Sequence, residues 1–197
     1  MTELTIRPAT RAETTAVAGL IGVAFQYLGV SAWLVPDAEQ RPAMLSRNFE
    51  IFVDYALTYG VVEVVDDLVG ASVWLPMDGA PLPPPDDYDA RLDAACGVYA
   101  GNFRELDALF EAHHPHEPHH HLAFLAVRAD HQSRGIGSAL IDHYHRRLDA
   151  SGTAGFLEAS STGARDLYAR HGYELSGEPY PVPNGALFYP MWRAPQP

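Results

Sequence analysis

The run Gln132-Ser133-Arg134-Gly135-Ile136-Gly137-Ser138 lies between an apolar stretch, LAFLAV, and a segment with helical periodicity. A glycine-rich turn from a buried strand into a helix leaves unpaired backbone N–H groups that converge on one point. The helix dipole makes that point favourable for an anion. Gly135 and Gly137 let the main chain approach a phosphate closely. Arg134 and Arg128 offer local positive charge on an otherwise acidic chain. Two common phosphate loops do not fit. A P-loop needs a lysine, and all 13 basic residues here are arginine. The dinucleotide fingerprint G-x-G-x-x-G is also absent, because Ala139 and Leu140 follow Ser138.

Two carboxylates sit in otherwise apolar strand-like segments, Glu158 in GFLEAS and Glu63 in VVEVV. A carboxylate there needs a partner or a wet cleft. The stretch HHPHEPHHH, residues 113–121, puts six histidines into nine positions. Pro115 and Pro118 make it an extended lead-in, so a helical i,i+4 zinc pair is unavailable. His119 and His121 could share one strand face and supply two metal ligands, with Glu117 or His116 as a third. The competing reading is a pocket role for His119 or His121 as proton acceptor. No metal is expected. Tyr27, Trp33 and Trp74 are aromatics that could line a pocket for a cationic or aromatic amine, or pack as ordinary core.

These residues must be positioned by a mixed set of elements. LTIRPAT (4–10) reads as a strand running into a helix over 11–25, with Thr10 and Glu13 at capping-box spacing. Residues 26–37 are punctuated by Gly and Pro and read as a loop or broken helix. A second helix is predicted over 38–58, then a hairpin over 61–65 and 68–75. The segment 77–89 is a proline-rich loop, and 89–112 is helical in pattern. LAFLAVRA (122–129) reads as a buried central strand. A helix follows to about residue 150, then a strand over 153–160. The next helix, 163–172, ends at Gly172, and a last strand covers 186–193.

Composition narrows the classes of function. The 197 residues are 47% hydrophobic and 19% charged, which suits one globular domain. A formal net charge of −12 argues against nucleic acid or an anionic membrane as partner. No apolar run is long enough to cross a bilayer, and the first twenty residues lack the pattern of a signal peptide. The single cysteine, Cys96, cannot form an internal disulfide, so a cytoplasmic setting is expected.

The pattern Q-x-x-G-x-G at 132–137 resembles the pyrophosphate loop of the GCN5-related N-acetyltransferases (GNAT). Leu167-Tyr168-Ala169-Arg170-His171-Gly172-Tyr173 matches that family's L-Y-x-x-x-G-F/Y element after the next strand. IRPAT and the VVEVVDDLVGASVWL hairpin also fall where the family has them. Within the family, HEPHHHLAFLAVRADHQSRGIGSAL and GFLEASSTGARDLYARHGYEL look most like puromycin N-acetyltransferase and its relatives. The resemblance spans residues 1–197 as a single domain, with 118–193 the most specific part. It implies an α/β (α+β) GNAT fold: a mixed, mostly antiparallel sheet with a central splayed strand pair and flanking helices.

The resemblance also implies roles. Acetyl-CoA would be the cosubstrate. Main-chain atoms of Leu125 and Val127 would bond its pantetheine arm, and Gln132, Ser133, Arg134, Gly135, Ile136, Gly137 and Ser138 would cradle its pyrophosphate. Tyr168 would protonate the leaving thiolate. Glu158, or second Glu63, would take the proton of the attacking ammonium. Tyr27, Trp33, Trp74 and His119 would contact the acceptor, a primary amine of a small molecule such as an antibiotic or amino-nucleoside. A monomer or homodimer is expected. Three alternatives stay open: a peptide or protein amine as acceptor, a noncatalytic acyl-CoA-binding domain, and a histidine-dependent metalloprotein. The second draws on Ser161, which stands where many family members carry asparagine.

Overall fold

The β-branched run Val61–Val65 (β2) and the stretch Gly70–Met77 (β3) pair as an antiparallel hairpin, in a computed structural model that describes residues 4–79 and 81–196. Ile6–Pro8 (β1) adds to the outer edge of β2. On the other side, β3 pairs with His119–Val127 (β4), again antiparallel. β4 then meets Ala154–Ala159 (β5) as a parallel pair. Leu187–Arg193 (β8) pairs antiparallel with β5, and its other edge carries the two-residue strands Glu174–Leu175 (β6) and Tyr180–Pro181 (β7). Except for β4–β5, every pairing is antiparallel, which is the mixed sheet expected.

Seven α-helices among the described residues and a bulge decide what this sheet can hold. Thr14–Phe25 (α1) and Arg41–Tyr59 (α3) lie together on one face, joined by Gly29–Leu34 (α2). Tyr88–Cys96 (α4) and Ala100–His113 (α5) complete that layer. Ile136–Ser151 (α6) covers the opposite face, with Thr162–Arg170 (α7) packed beside it. Two main cores result, one under α1 and α3 around Leu45, Val53 and Val73, and one under α6 around Trp74, Tyr144 and Leu157, with a smaller cluster of Val65, Val69, Ile136 and Leu140 at the start of α6. Between Val73↔Phe124 and Trp74↔Leu122 the register slips by one residue, so Ala123 is an extra residue in β4. A bulge of this kind reverses the side-chain alternation.

Several sequence expectations shift at their ends. The helix predicted from residue 11 opens with a 3-10 turn, Arg11–Glu13, before α1 begins. There the Glu13 carboxylate accepts the Thr10 amide at 2.8 Å and its hydroxyl at 2.9 Å. The 26–37 segment is a broken helix, with α2 in its middle. The single helix predicted over 89–112 is two, because Gly97 sits at φ +52, outside helical space. Of the proline-rich loop 77–89, Ala80 lies outside the described residues. The central strand starts three residues earlier than its apolar part, so His119, His120 and His121 belong to β4. Strands β6 and β7 are too short for periodicity to mark them. No helix among the described residues is long and apolar enough to cross a membrane.

Candidate active site

β4 and β5 pair only over His119↔Ala154, His120↔Gly155 and His121↔Phe156. Beyond His121 they diverge, and the main chains facing the gap lose their ladder partners. A cavity of about 660 Å³ opens there, under α1, α2, α3 and α5. Leu125, Val127, Gln132, Glu158 and Tyr168 all line it. Five of the predicted site residues, scattered over some 45 positions, therefore meet at one opening.

Beside the cavity, α6 begins. Gly135 precedes it at φ +81 and Ser133 at φ +59, two left-handed residues that turn the chain sharply into the helix. Gly135 needs its glycine for that dihedral, since a Cβ there would meet nothing within 4 Å. Gly137 differs, because an added Cβ would make ordinary contacts of 3.8–3.9 Å with Leu125, Val127 and Leu167. The first intrahelical bond of this helix is Ala139 N–H to Gly135 C=O at 2.9 Å. Hence the amides of Ile136, Gly137 and Ser138 are orphans at the positive end of the dipole. The Ile136 side chain anchors this turn in the core beside Leu140 and Val69. Gly70 of β3 makes the approach feasible, for a Cβ there would lie 2.7 Å from Ile136 Cγ2. Gln132 donates its side-chain amide to Val127 C=O at 3.2 Å. Ser138 Oγ is tied at 3.0 Å to His171 Nε2, whose Nδ1 meets Asp142 at 2.8 Å. Arg128 forks onto Asp130 at 2.7 and 3.1 Å, so its charge is neutralised locally. Arg134 is exposed and has no ion pair among the described residues.

Tyr168 stands on α7, 9% exposed, at the junction of the cavity and the α6 core. Burial raises its phenol above the ordinary range, so it stays protonated and can donate. Glu158 projects from β5 with its side chain only 3% exposed. One oxygen meets His121 Nε2 at 2.9 Å, and Oε1 has no hydrogen-bond partner. The Tyr180 hydroxyl lies beside this carboxylate, and burial together with that negative charge raises its pKa. His114 lines the same end, its ring centroid 5.2 Å from that of His121. Burial, reinforced by the neighbouring His121, lowers its pKa to about 4.

Other predicted residues are elsewhere. Glu63 is on the α6 face, where Oε1 pairs with His143 Nδ1 at 3.0 Å and burial raises its pKa, so it does not reach the cavity. Trp74 is fully buried on that same face, stacked on Tyr144 at 4.1 Å. Tyr27 is 84% exposed and does not line the cavity. Trp33 packs against the outer part of the first core, and its carbonyl accepts from Asn102 at 3.0 Å. His119 is 1% exposed, its ring between Phe156 and Trp192, with Nδ1 2.7 Å from Glu117 C=O. None of these five lines the cavity, because each side chain leaves its backbone on the wrong face or edge. No three His, Cys, Asp or Glu side chains among the described residues are grouped so as to hold a metal ion. Asn48, Asp107 and His114 do line the cavity without having been singled out. His114 belonged to the histidine run, whereas nothing in the sequence distinguishes Asn48 from a surface asparagine on an amphipathic helix.

Comparison with known proteins agrees with this geometry. Residues 112–194 match the family model described as the acetyltransferase (GNAT) domain. The whole chain superposes on a histone acetyltransferase HPA2 and related acetyltransferase from Corynebacterium glutamicum. That pair shares 27% identity, covers 100% of this chain and 98% of that one, and has a TM-score of 0.73. Mosquito arylalkylamine N-acetyltransferase like 5b shares the fold at 18% identity, covering 98% and 100% of the two chains, with a TM-score of 0.64. So does Naa20 of Chaetomium thermophilum, solved with a bisubstrate analogue, at 14% identity, 97% and 86% coverage and a TM-score of 0.56. The architecture is that of GNAT acetyltransferases.

Proposed function

We propose that the chain is a single-domain cytoplasmic N-acetyltransferase that moves an acetyl group from acetyl-CoA to a primary amine of a small molecule. The observation that carries this reading is the convergence of Tyr168 and the His121–Glu158 pair on one cavity at the β4–β5 divergence, with the orphan amides of α6 beside it. The residues present suit acyl-CoA. The main chain of Leu125 and Val127 is free of β5, and residues 132–138 present amides, not side chains, to an anion. Bound there, acetyl-CoA supplies an activated thioester carbonyl.

The protein's own groups then handle the protons. Glu158 with His121 receives a proton from the ammonium, which frees the nitrogen lone pair. The new N–C bond forms as the C–S bond breaks, Tyr168 supplies a proton to the departing sulfur, and the second proton lost by the acylated nitrogen restores the phenol. The cavity excludes water from the thioester, and no covalent enzyme intermediate is needed. Ser161 Oγ accepts the Ala164 amide at 3.1 Å and caps α7, the ordering that the family's asparagine would otherwise supply. That favours a working site over a noncatalytic one. An antibiotic or amino-nucleoside acceptor, as in puromycin N-acetyltransferase, is the narrower form of this reading, and the resemblance of residues 116–140 and 155–175 supports it.

The test is CoA thiol release from acetyl-CoA across puromycin, arylalkylamines, polyamines and peptides, with wild type and Tyr168→Phe in parallel. Turnover with an amine that drops at least tenfold in the variant supports the reading. Acetyl-CoA binding without turnover on any amine overturns it in favour of a noncatalytic domain.

A further inference from the structure

The end of the cavity away from α6 carries groups that the transfer step does not use. Its wall is aromatic: Phe25, Phe49, Phe52 and Phe124 pack edge to face, with centroids 4.8–6.2 Å apart. Into this wall α3 sets Asn48, on the same helical face as Phe49 and Phe52. Asn48 is 4% exposed and lines the cavity, and its Oδ1 has no hydrogen-bond partner. Leaving a buried amide unpaired among apolar groups costs about 1–3 kcal/mol, so native proteins rarely do so without a use. Glu158 Oε1 is a second buried, unpartnered oxygen of the same cavity.

The charges narrow the occupant further. The chain has no lysine and no arginine lines the cavity. A carboxylate or phosphate on the acceptor would therefore enter an aromatic chamber with no permanent cation to pair it, at high desolvation cost. A second ammonium is also poorly served. Asp107 is already bonded by the Tyr88 hydroxyl, and burial raises its carboxyl above the usual range. Glu111 is exposed at the rim.

We infer that the acceptor is an aromatic monoamine with an uncharged tail that bears a hydroxyl or similar neutral hydrogen-bonding group, read by Asn48 while Glu158 receives the ammonium. This rests on the acetyl-transfer reading for its chemistry, but the binding claim concerns the chamber itself. Asn48 would act as a specificity residue. Its contact is with the tail, so its loss should appear in KM and not in kcat.

Wild type and Asn48→Leu would be compared with 2-phenylethylamine, its para- and meta-hydroxylated derivatives, tyrosine and putrescine, at saturating acetyl-CoA. In wild type, one hydroxylated amine should exceed 2-phenylethylamine by about tenfold in kcat/KM, the worth of one well-placed hydrogen bond. Tyrosine and putrescine should be at least about a hundredfold poorer. Asn48→Leu should bring the hydroxylated-to-plain ratio near one while 2-phenylethylamine keeps its kcat. Asn48→Ser, which retains a smaller donor, guards against a folding defect and should give an intermediate ratio. Preference for tyrosine or putrescine, or an equal loss on both arylalkylamines in both variants, overturns the inference and leaves acetyl transfer standing. Calorimetric binding of the same amines in the presence of CoA separates the two claims. Asn48-dependent binding of a hydroxylated amine without transfer supports the chamber assignment and overturns the enzymatic one. Absence of any arylalkylamine binding overturns the assignment.

Discussion

His120 and His121 are neighbours in β4, yet they are built into opposite faces of the sheet. His120 is held on the α6 side, with Nδ1 2.9 Å from the Tyr144 hydroxyl and Nε2 3.1 Å from Asp78. Both of its nitrogens are occupied, and it does not line the cavity. His121 faces the cavity, with Nε2 on Glu158 at 2.9 Å and no protein partner at Nδ1 among the described residues. The same imidazole is thus a structural strut at one position and an available base at the next. The two faces differ in the same way more broadly. Under α6, Glu63 pairs with His143 and Arg193 with Asp149 at 2.7 and 2.9 Å. Under α3 and α5, Asn48 and Glu158 keep a buried oxygen unpaired beside open volume. Glu63 Oε2, Ser72 Oγ and Arg193 Nε are buried and unpaired as well, but they do not line the cavity, so it is open volume that lets one face offer its unpaired oxygens to a substrate.

Substitutions can break this contrast. The largest effect is expected at the cavity: Glu158→Gln and Tyr168→Phe should each lower kcat by about 10²- to 10³-fold, the range for loss of a general acid or base. Acetyl-CoA affinity, read by calorimetry, should change less than about threefold, because the cradle at 132–138 is untouched. Unchanged kcat in both variants would remove the cavity's claim to the chemistry.

Exchanging the two histidines is the direct contrast. His120→Phe leaves the Tyr144 hydroxyl without its buried partner and should cost about 2 kcal/mol of stability, with kcat unaltered below the melting transition. His121→Phe should do the reverse, lowering kcat about tenfold with a shift in Tm of only a few degrees. Thermal melts and turnover on the same samples decide it. Equal behaviour of the two variants would erase the distinction drawn from their faces.

Next in size is Gly135→Ala, which forces a Cβ into φ +81 and should cost about 1 kcal/mol. The strain falls on the anion cradle, so KM for acetyl-CoA should rise several-fold while KM for the amine holds. The smallest effect is a pH dependence shared by both faces. Burial lowers His114 and His145 to about 4. Each is therefore neutral in the folded state where the unfolded chain, near pKa 6.5, already takes up a proton. The contribution is complete above about pH 6.5 and is lost as pH falls toward 4. At pH 5.5 the loss should amount to roughly 1 kcal/mol per imidazole, after allowance for partial exposure. His114→Phe should remove about half of the drop in Tm between pH 7.5 and 5.5, and an unchanged drop would show that His114 is not titrating in that window.

The glycine-rich turn at 132–138 was readable from the chain because it is local. Its glycines, the apolar run before it and the helical period after it lie within about twenty residues, and their conformations follow from nearby sterics and unpaired amides. The same holds for α7, which ends with Gly172 at φ +85 and the Tyr173 amide on Tyr168 C=O at 3.2 Å. Glu158 stood out as a candidate for a similar reason, as a polar group within an apolar strand, whereas Tyr168 was a candidate only through the L-Y-x-x-x-G-Y resemblance. The aromatic pocket was not. Trp74 and Phe124 are both aromatic residues in sheet strands, and only the strand register decides that Phe124, opposite Val73, meets the cavity while Trp74, opposite Leu122, stacks under α6. Asn48 reads as a surface residue of α3 until α1, α2 and α5 close over it. The sequence by itself determined which short segments can bind an anion and which side chains can carry a proton, because those properties belong to single residues and single turns. Only the tertiary structure decided which of them share a cavity, because strand register and helix packing are set by contacts between residues far apart in the chain.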